Sequence, residues 1–425
     1  MSGRRLTIAA AGLVSIAGAV GCPPDGPIES PRTYGSAEEQ RIAEVAERLE
    51  SLDLGIATEK LGVEVTLPKD AAPDLDAMLP LGFSEGHFEA MFHLRRVLEG
   101  RPPLRDVAQM RTRLAEARVP RLDAYYTTQR KAMVLMDEAR RDLDALESGL
   151  ARELVFAFHD QAPGGLATML TADDGTVDGA HVRRCLVEGH SRVVEAAYVY
   201  AQAGGDFATA TVEEVVIPPQ LFLGGEVDVP CPGGIEAMML RIQEGGWTSL
   251  IPSVRGAMLS TEQMLHPTKD GVDFPANVAL PRWPTEAGEA SLKYETTLGE
   301  LAIYRLMRER GLDERSARFA SIGWDGDRLR IYELPTGEKV TLWRSTWDRE
   351  DDATQFVTGV SPLSGSALGF RVTRRGRVVD CISAEQDELA ELLRKAMDEF
   401  VGEPQPQEAD AQTTTAIETE LARGG

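Results

Sequence analysis

Apolar residues recur every three or four positions over much of the first 310 residues. The clearest case is 142–159, where five apolar side chains fall on one face and predict an amphipathic helix. A short apolar run at 130–136, just after a pair of tyrosines, predicts a strand. Further helices are predicted at 36–52, 83–98, 104–117, 180–203, 234–244 and 297–310.

The last hundred residues have a different pattern, in which apolar and polar positions alternate. This alternation predicts strands at 329–333, 339–343, 369–373 and 377–382, followed by a closing helix that begins near Ser383. The fold class predicted from both patterns is α+β. A mostly helical part is followed by a small antiparallel sheet with a closing C-terminal helix.

The N-terminus has the pattern of a bacterial lipoprotein signal. A basic start with Arg4 and Arg5 precedes an uncharged apolar stretch, and small residues lead to Cys22. The stretch is shorter than the roughly 20 residues of a membrane-spanning helix. We therefore expect cleavage before Cys22 and acyl chains such as palmitate on this cysteine, which would anchor the protein to a membrane. Pro23 follows in place of Asp, which favours the periplasm-facing side of the outer membrane in the cell envelope.

Composition divides the chain into five predicted segments. Residues 1–21 are the signal peptide, and the proline-rich segment 22–35 is a tether. Residues 36–315 form the helical domain, 316–401 form an α/β C-terminal subdomain, and 402–425 are a disordered acidic tail. The net charge of −23 excludes nucleic acid as a partner.

The four cysteines of the chain allow few disulfides. With Cys22 acylated, three thiols remain, so an oxidising compartment permits one disulfide and leaves one free thiol. We predict that Cys185 pairs with Cys231.

Seven short motifs occur in an order that resembles a family of bacterial envelope proteins with a gluzincin-type zinc peptidase site. In that family, a helix carries His-Glu-x-x-His, whose histidines bind zinc while the glutamate acts as base, and a later helix supplies a third ligand. The resemblance implies a metallopeptidase-like fold. The motifs lie at 125–126, 153–161, 186–189, 245–247, 260–267, 297–300 and 323–348.

The chain departs from this family at the metal ligands. Arg152 and Phe156 stand where the resemblance places the two histidines, while Glu153 and Glu188 match the base and the third ligand. Three protein ligands are needed for a zinc site, and an arginine would repel the ion. The resemblance therefore implies a vestigial site without cofactor and a protein that is not an enzyme.

Three hypotheses about function remain open. The first is a pseudoenzyme that binds an envelope protein or peptide, and the second is a structural lipoprotein. The alternative from another class is an active metallohydrolase with a rearranged zinc site made of Glu153, His159, Glu188 and His190. For the vestigial site, we predict that the helix around Glu153 packs against the helix around Glu188, and that Arg152 pairs with Glu188.

Overall fold

The computed structural model describes residues 37–59, 61–99, 105–171, 174–205, 232–250, 254, 258, 260–361 and 369–400. The predicted signal peptide, tether and tail lie outside these residues. In the described part, thirteen helices accompany a three-stranded sheet and a five-stranded antiparallel sheet, so the predicted α+β class is confirmed. The described helices include none with the length and apolar character that a membrane span requires.

The first two-thirds of the described chain are mainly helical, as predicted. Asp142 caps the amphipathic helix α5, because its side chain accepts a hydrogen bond from the Ala145 backbone N–H at 3.1 Å. The helices in this part are α1 (Ala37–Ser51), α2 (Pro68–Met78), α3 (His87–Glu99), α4 (Val107–Arg118), α5 (Leu143–Gln161), α6 (Gly165–Leu170), α7 (Val177–Gln202), α8 (Pro232–Gly245) and α9 (Thr261–Leu265).

A small sheet lies inside this helical part. Strands β1 (Gly62–Thr66) and β3 (Ala132–Met136) are parallel, and β2 (Ala124–Thr127) pairs antiparallel with β3 on its other side. Every residue of β3 is buried, because one face packs on the main core and the other faces α2 and α4. The predicted strand at 130–136 is thus confirmed, whereas β1 and β2 were not predicted.

Helices α5 and α7 pack directly against each other, which confirms the predicted contact between the helices of Glu153 and Glu188. Leu150 and Leu154 of α5 and Val187 of α7 are buried in the same core. Helix α1 packs on α5, and β2 lies against α5 as well.

The C-terminal sheet has the strand order β4-β5-β6-β8-β7. Apolar cores lie on both faces, with α10 and α12 on one face and α13 on the other. Its strands are β4 (Ser291–Thr296), β5 (Trp324–Glu333), β6 (Lys339–Trp347), β7 (Phe370–Arg375) and β8 (Val378–Ser383). The accompanying helices are α10 (Gly299–Glu309), α11 (Glu314–Phe319), α12 (Glu350–Val360) and α13 (Asp387–Glu399).

This sheet begins earlier in the chain than the predicted subdomain boundary at 315/316. Strand β4 ends at Thr296, yet it pairs with β5 along its length. The strand was not predicted, although Leu292, Tyr294 and Thr296 alternate with polar residues in its sequence, and only Tyr294 and Thr296 are buried.

Candidate functional site

Arg152 and Glu153 form an ion pair at the buried interface between α5 and α7. The Arg152 Nε donates to Oε1 of Glu153 at 2.9 Å, and the Tyr126 backbone N–H donates to Oε2 at 3.0 Å. Both oxygens of the carboxylate in the predicted base position therefore already accept a hydrogen bond. One bond comes from a permanent cation and the other from strand β2.

Glu188 pairs with a different arginine from the one predicted. Its Oε1 accepts from Nε of Arg192 at 2.9 Å, and Nη1 of Arg192 also donates to Glu195 at 3.0 Å. The predicted ion pair between Arg152 and Glu188 is therefore wrong. Arg192 lies one helical turn from Glu188 and forms an ion pair with it within α7. Arg152 forms its ion pair with the adjacent Glu153 instead.

The ion-paired groups on α5 and on α7 also influence each other across the contact between these two helices. Burial raises the pKa of Glu153, and the charge of Arg152 opposes this effect. Burial favours loss of the Arg152 proton, but Glu153, Glu195 and Glu188 together hold the pKa of Arg152 above its ordinary value. Three carboxylates thus share two guanidinium groups, those of Arg152 and Arg192. We call the following five residues the Arg152 network: Arg152, Glu153, Glu188, Arg192 and Glu195.

Phe156 supplies no ligand atom. It is half-buried and packs against the main apolar core. A hydrocarbon ring at this position, one helical turn from Arg152, offers no lone pair that could bind a metal.

His159 and His190 are brought together by the contact between α5 and α7. Nε2 of His159 lies 3.0 Å from Nδ1 of His190, and both side chains are buried. Burial lowers the pKa of His190 well below its ordinary value, and His159 adds to this effect. The proximity of these two rings agrees with one part of the alternative zinc site, although they lie on different helices 31 residues apart in the sequence.

Glu153, His159, Glu188 and His190 do not converge as the alternative zinc site requires. Across the described ranges, the only three potential metal ligands with atoms within 4.8 Å of one another are Glu262, Asp273 and Asp348. That group surrounds the ammonium of Lys269, with the Nζ atom 2.6 Å from Glu262, 2.9 Å from Asp273 and 2.7 Å from Asp348.

Three of the sequence motifs meet around the Lys269 cluster, which consists of Lys269, Glu262, Asp273 and Asp348. Glu262 belongs to the motif at 260–267, and His266 of the same motif contacts both carboxylate oxygens of Glu300 at 3.0 Å. Asp348 belongs to the last motif, and its backbone N–H donates to the carbonyl of Gly323 at 2.7 Å. Burial raises the pKa of Glu262 to about 8, although Lys269 opposes this shift.

Sequence reasoning missed Lys269, which is the centre of this cluster. The spacing of four between Lys269 and Asp273 is a recognisable ion-pair signal. Its pairing with Asp348, which is 79 residues away, required the fold. The cluster therefore links the helical part to the C-terminal sheet.

The two cysteine predictions fall partly outside the described residues. Cys185 is disulfide-bonded, while Cys381 is free and buried. Cys22 and Cys231 both lie outside the described residues, so the acylation of Cys22 and the pairing of Cys185 with Cys231 stay predictions.

Residues 290–393 match the family model of a domain of unknown function, DUF8575. The match begins next to β4 and runs into α13, so it covers the five-stranded sheet with its flanking helices. No curated protein and no solved structure matches the chain. The helices that carry Glu153 and Glu188 precede the matched region.

Proposed function

We propose that this protein is a lipid-anchored envelope protein with an inactive metallopeptidase-like fold that binds a protein or peptide. The supporting observation is that both carboxylates retained from the resemblance are bound by arginines. Arg152 donates to Glu153, and Arg192 donates to Glu188. Two permanent cations then supply the positive charge that a divalent metal would bring to such a site.

The same contacts weigh against the metallohydrolase alternative. A zinc ion at Glu153 and Glu188 would have to displace two guanidinium groups. It would also need imidazole ligands, but no three of the four proposed residues come together in the described structure. Catalysis with a metal-bound water needs three protein ligands and an open position.

We expect the partner to bind on the surface. Strand β2 is an edge strand, and the outward N–H of Tyr126 is already bonded to Glu153. A peptide adding as a further strand at this residue would have to displace that carboxylate. The strongly acidic chain favours a partner with basic segments, because opposite charges speed up association.

Restoring the histidines tests this proposal directly. The substitutions Arg152→His and Phe156→His, combined with Arg192→Ala, would create a His-Glu-x-x-His motif and release Glu188. We expect the triple variant to retain about one zinc per chain after dialysis, because three ligands then suffice. The wild-type protein should retain none, as measured by atomic emission.

Adding Glu188→Gln to the triple variant is the matched control and should abolish zinc retention. Stoichiometric zinc in the dialysed wild-type protein would contradict the proposal and support the metallohydrolase. A triple variant that folds but binds no zinc would show that these three positions do not have the geometry of a zinc site, and would contradict the resemblance.

The membrane anchor is tested separately with Cys22→Ser. Because the acyl chains would be attached to the cysteine sulfur, we expect this variant to leave the membrane fraction or to keep its signal peptide. Fractionation and the mass of the mature chain measure both outcomes. Normal processing with unchanged membrane association would exclude the lipoprotein assignment.

A further inference from the structure

A compact group of aromatic and basic side chains lies at the start of α3 and α7, away from the Arg152 network. The rings of Phe83 and His87 are stacked with centroids 4.0 Å apart, and His181 meets Phe83 edge-on at 5.6 Å. The guanidinium of Arg184 lies over the Phe83 ring, 4.6 Å from its centroid. His87 and His181 are only 6% and 7% exposed, so both imidazoles are removed from water.

This group joins four elements that are distant in sequence. Nδ1 of His87, at the start of α3, lies 3.2 Å from the hydroxyl of Tyr294 on β4. His181 on α7 lies 3.2 Å from Nη1 of Arg305 on α10. We call this group the histidine junction, and it consists of His87, His181, Phe83, Tyr294, Arg184 and Arg305. It connects the N-terminal helices with the C-terminal sheet.

The contact between Arg305 and His181 fixes the protonation state of this histidine. An arginine can only donate, so Nε2 of His181 must accept through its lone pair. The proton of the neutral ring is then on Nδ1, which is buried without a hydrogen-bond partner among the described residues. A proton added to Nε2 would remove the acceptor and bring two cations into direct contact.

The charges that act on His181 all oppose its protonation. They come from Arg305 on α10 and Arg184 on α7 itself, and a protonated His87 on α3 would add to them. Burial is the largest cause and, with these charges, keeps the pKa of His181 well below its ordinary value. Burial and Arg184 likewise lower the pKa of His87 to about 3. His87 is in contact with the neutral hydroxyl group of Tyr294, which in turn accepts from the hydroxyl of Ser84 at 3.3 Å.

We propose that the histidine junction is an acid-sensitive switch that releases α3 from α7 and α10 when His181 is protonated. The closed form excludes the proton, whereas an opened form exposes an ordinary histidine that binds it below about pH 6.5. Acidification therefore pulls the equilibrium toward the open form, by up to about tenfold per pH unit for each histidine that gains a proton. This inference does not depend on the proposed function.

Hydrogen exchange measured between pH 7 and pH 4.5 tests the switch on the full chain. After correction for the intrinsic pH dependence of exchange, we expect protection in α3 and at the start of α7 to fall about tenfold or more over this range. In His181→Gln, the side-chain carbonyl can still accept from Arg305 but cannot gain a proton. The pH-dependent loss of protection should therefore be smaller in this variant, with only the contribution of His87 remaining.

The control is His266→Gln, which removes a partly exposed histidine that contacts Glu300 outside the junction. It should keep the wild-type loss of protection in α3. The proposal is overturned if wild-type protection is independent of pH, or if His181→Gln loses protection as the wild type does. Should His181→Gln not fold, NMR titration of wild-type His181 decides. Titration near pH 6.5 in a closed junction would overturn the proposal, and protonation coupled to opening would support it.

Discussion

Asp327 shows how much of the fold can depend on one carboxylate. It is buried and accepts from the backbone N–H groups of Leu298 and Gly299, both within 3.1 Å. The indole N–H groups of Trp324 and Trp343 donate to the same carboxylate at 3.0 and 3.1 Å. This residue therefore caps α10 and fixes two core tryptophans at once.

We expect Asp327→Asn to destabilise the protein by about 3 kcal/mol, because an amide group would replace one acceptor oxygen with a second donor. Urea denaturation measures the loss. Asp313→Asn is the control, since Asp313 caps α11 at the surface and asparagine caps nearly as well. Equal effects of the two substitutions would contradict the role of Asp327.

The residues at the cap of α10 also show where sequence reasoning ends. The pattern Thr297-x-x-Glu300 predicts a capping box, and α10 does begin there. The cap itself comes from Asp327, and Thr297 instead donates to the backbone carbonyl of Asp327 at 3.0 Å. Local spacing thus located the helix start, but the actual cap is nearly thirty residues away. By contrast, the ion pair between Glu188 and Arg192 could be predicted from the sequence alone, because the two residues are four positions apart.

At the scale of elements, two glycines allow α7 and α8 to approach closely. A Cβ atom on Gly189 would lie 2.3 Å from the carbonyl oxygen of Gly234, and one on Gly234 would lie 2.1 Å from that of Cys185. Backbone atoms cannot yield as a flexible side chain does. The backbones of α7 and α8 are therefore in direct contact at these two glycines.

We expect Gly189→Ala to cost about 1–3 kcal/mol, since α7 and α8 would have to move apart. Gly149→Ala is the matched control on α5, where a Cβ atom would meet nothing within 4 Å. That variant should be neutral or more stable by about 0.5–1 kcal/mol, as expected in a helix. Thermal melts of the two variants and the wild-type protein measure both changes in stability. A neutral Gly189→Ala would show that the contact is loose.

The elements themselves were predicted well where their periodicity was strong. The prediction 142–159 became α5 (Leu143–Gln161), and the predicted strands at 339–343 and 377–382 became β6 and β8. Strands β1 and β2 were missed because they are short and gain their stability from β3. Their pairing depends on tertiary contacts that no local pattern encodes.

At the scale of the molecule, Asp178 connects the helical part to the sheet. Its carboxylate accepts from the backbone N–H and the hydroxyl of Thr261, while its own backbone N–H donates to the carbonyl of Thr297 at 3.1 Å. Burial raises the pKa of Asp178 to about 8. The folded protein therefore holds this proton at neutral pH, whereas the unfolded chain releases it above about pH 4.

We expect the contribution of Asp178 to stability to fall as the pH rises from about 4 to about 8. The loss is at most about 1.4 kcal/mol per pH unit, because the folded state binds one proton more than the unfolded state. Urea midpoints at pH 5, 7 and 9 measure it, and Asp178→Asn should make the profile shallower. An unchanged slope in that variant would rule out a titrating Asp178.

The Arg152 network and the Lys269 cluster share a feature that bears on where the protein can work. In both, buried or half-buried carboxylates are paired with cations that belong to the polypeptide. A bound metal can be captured by a chelator or become scarce in a starved cell, but a side chain is synthesised together with its partners. These ion pairs are therefore independent of nutrient supply, and the fold should mature equally well in metal-poor and metal-rich surroundings.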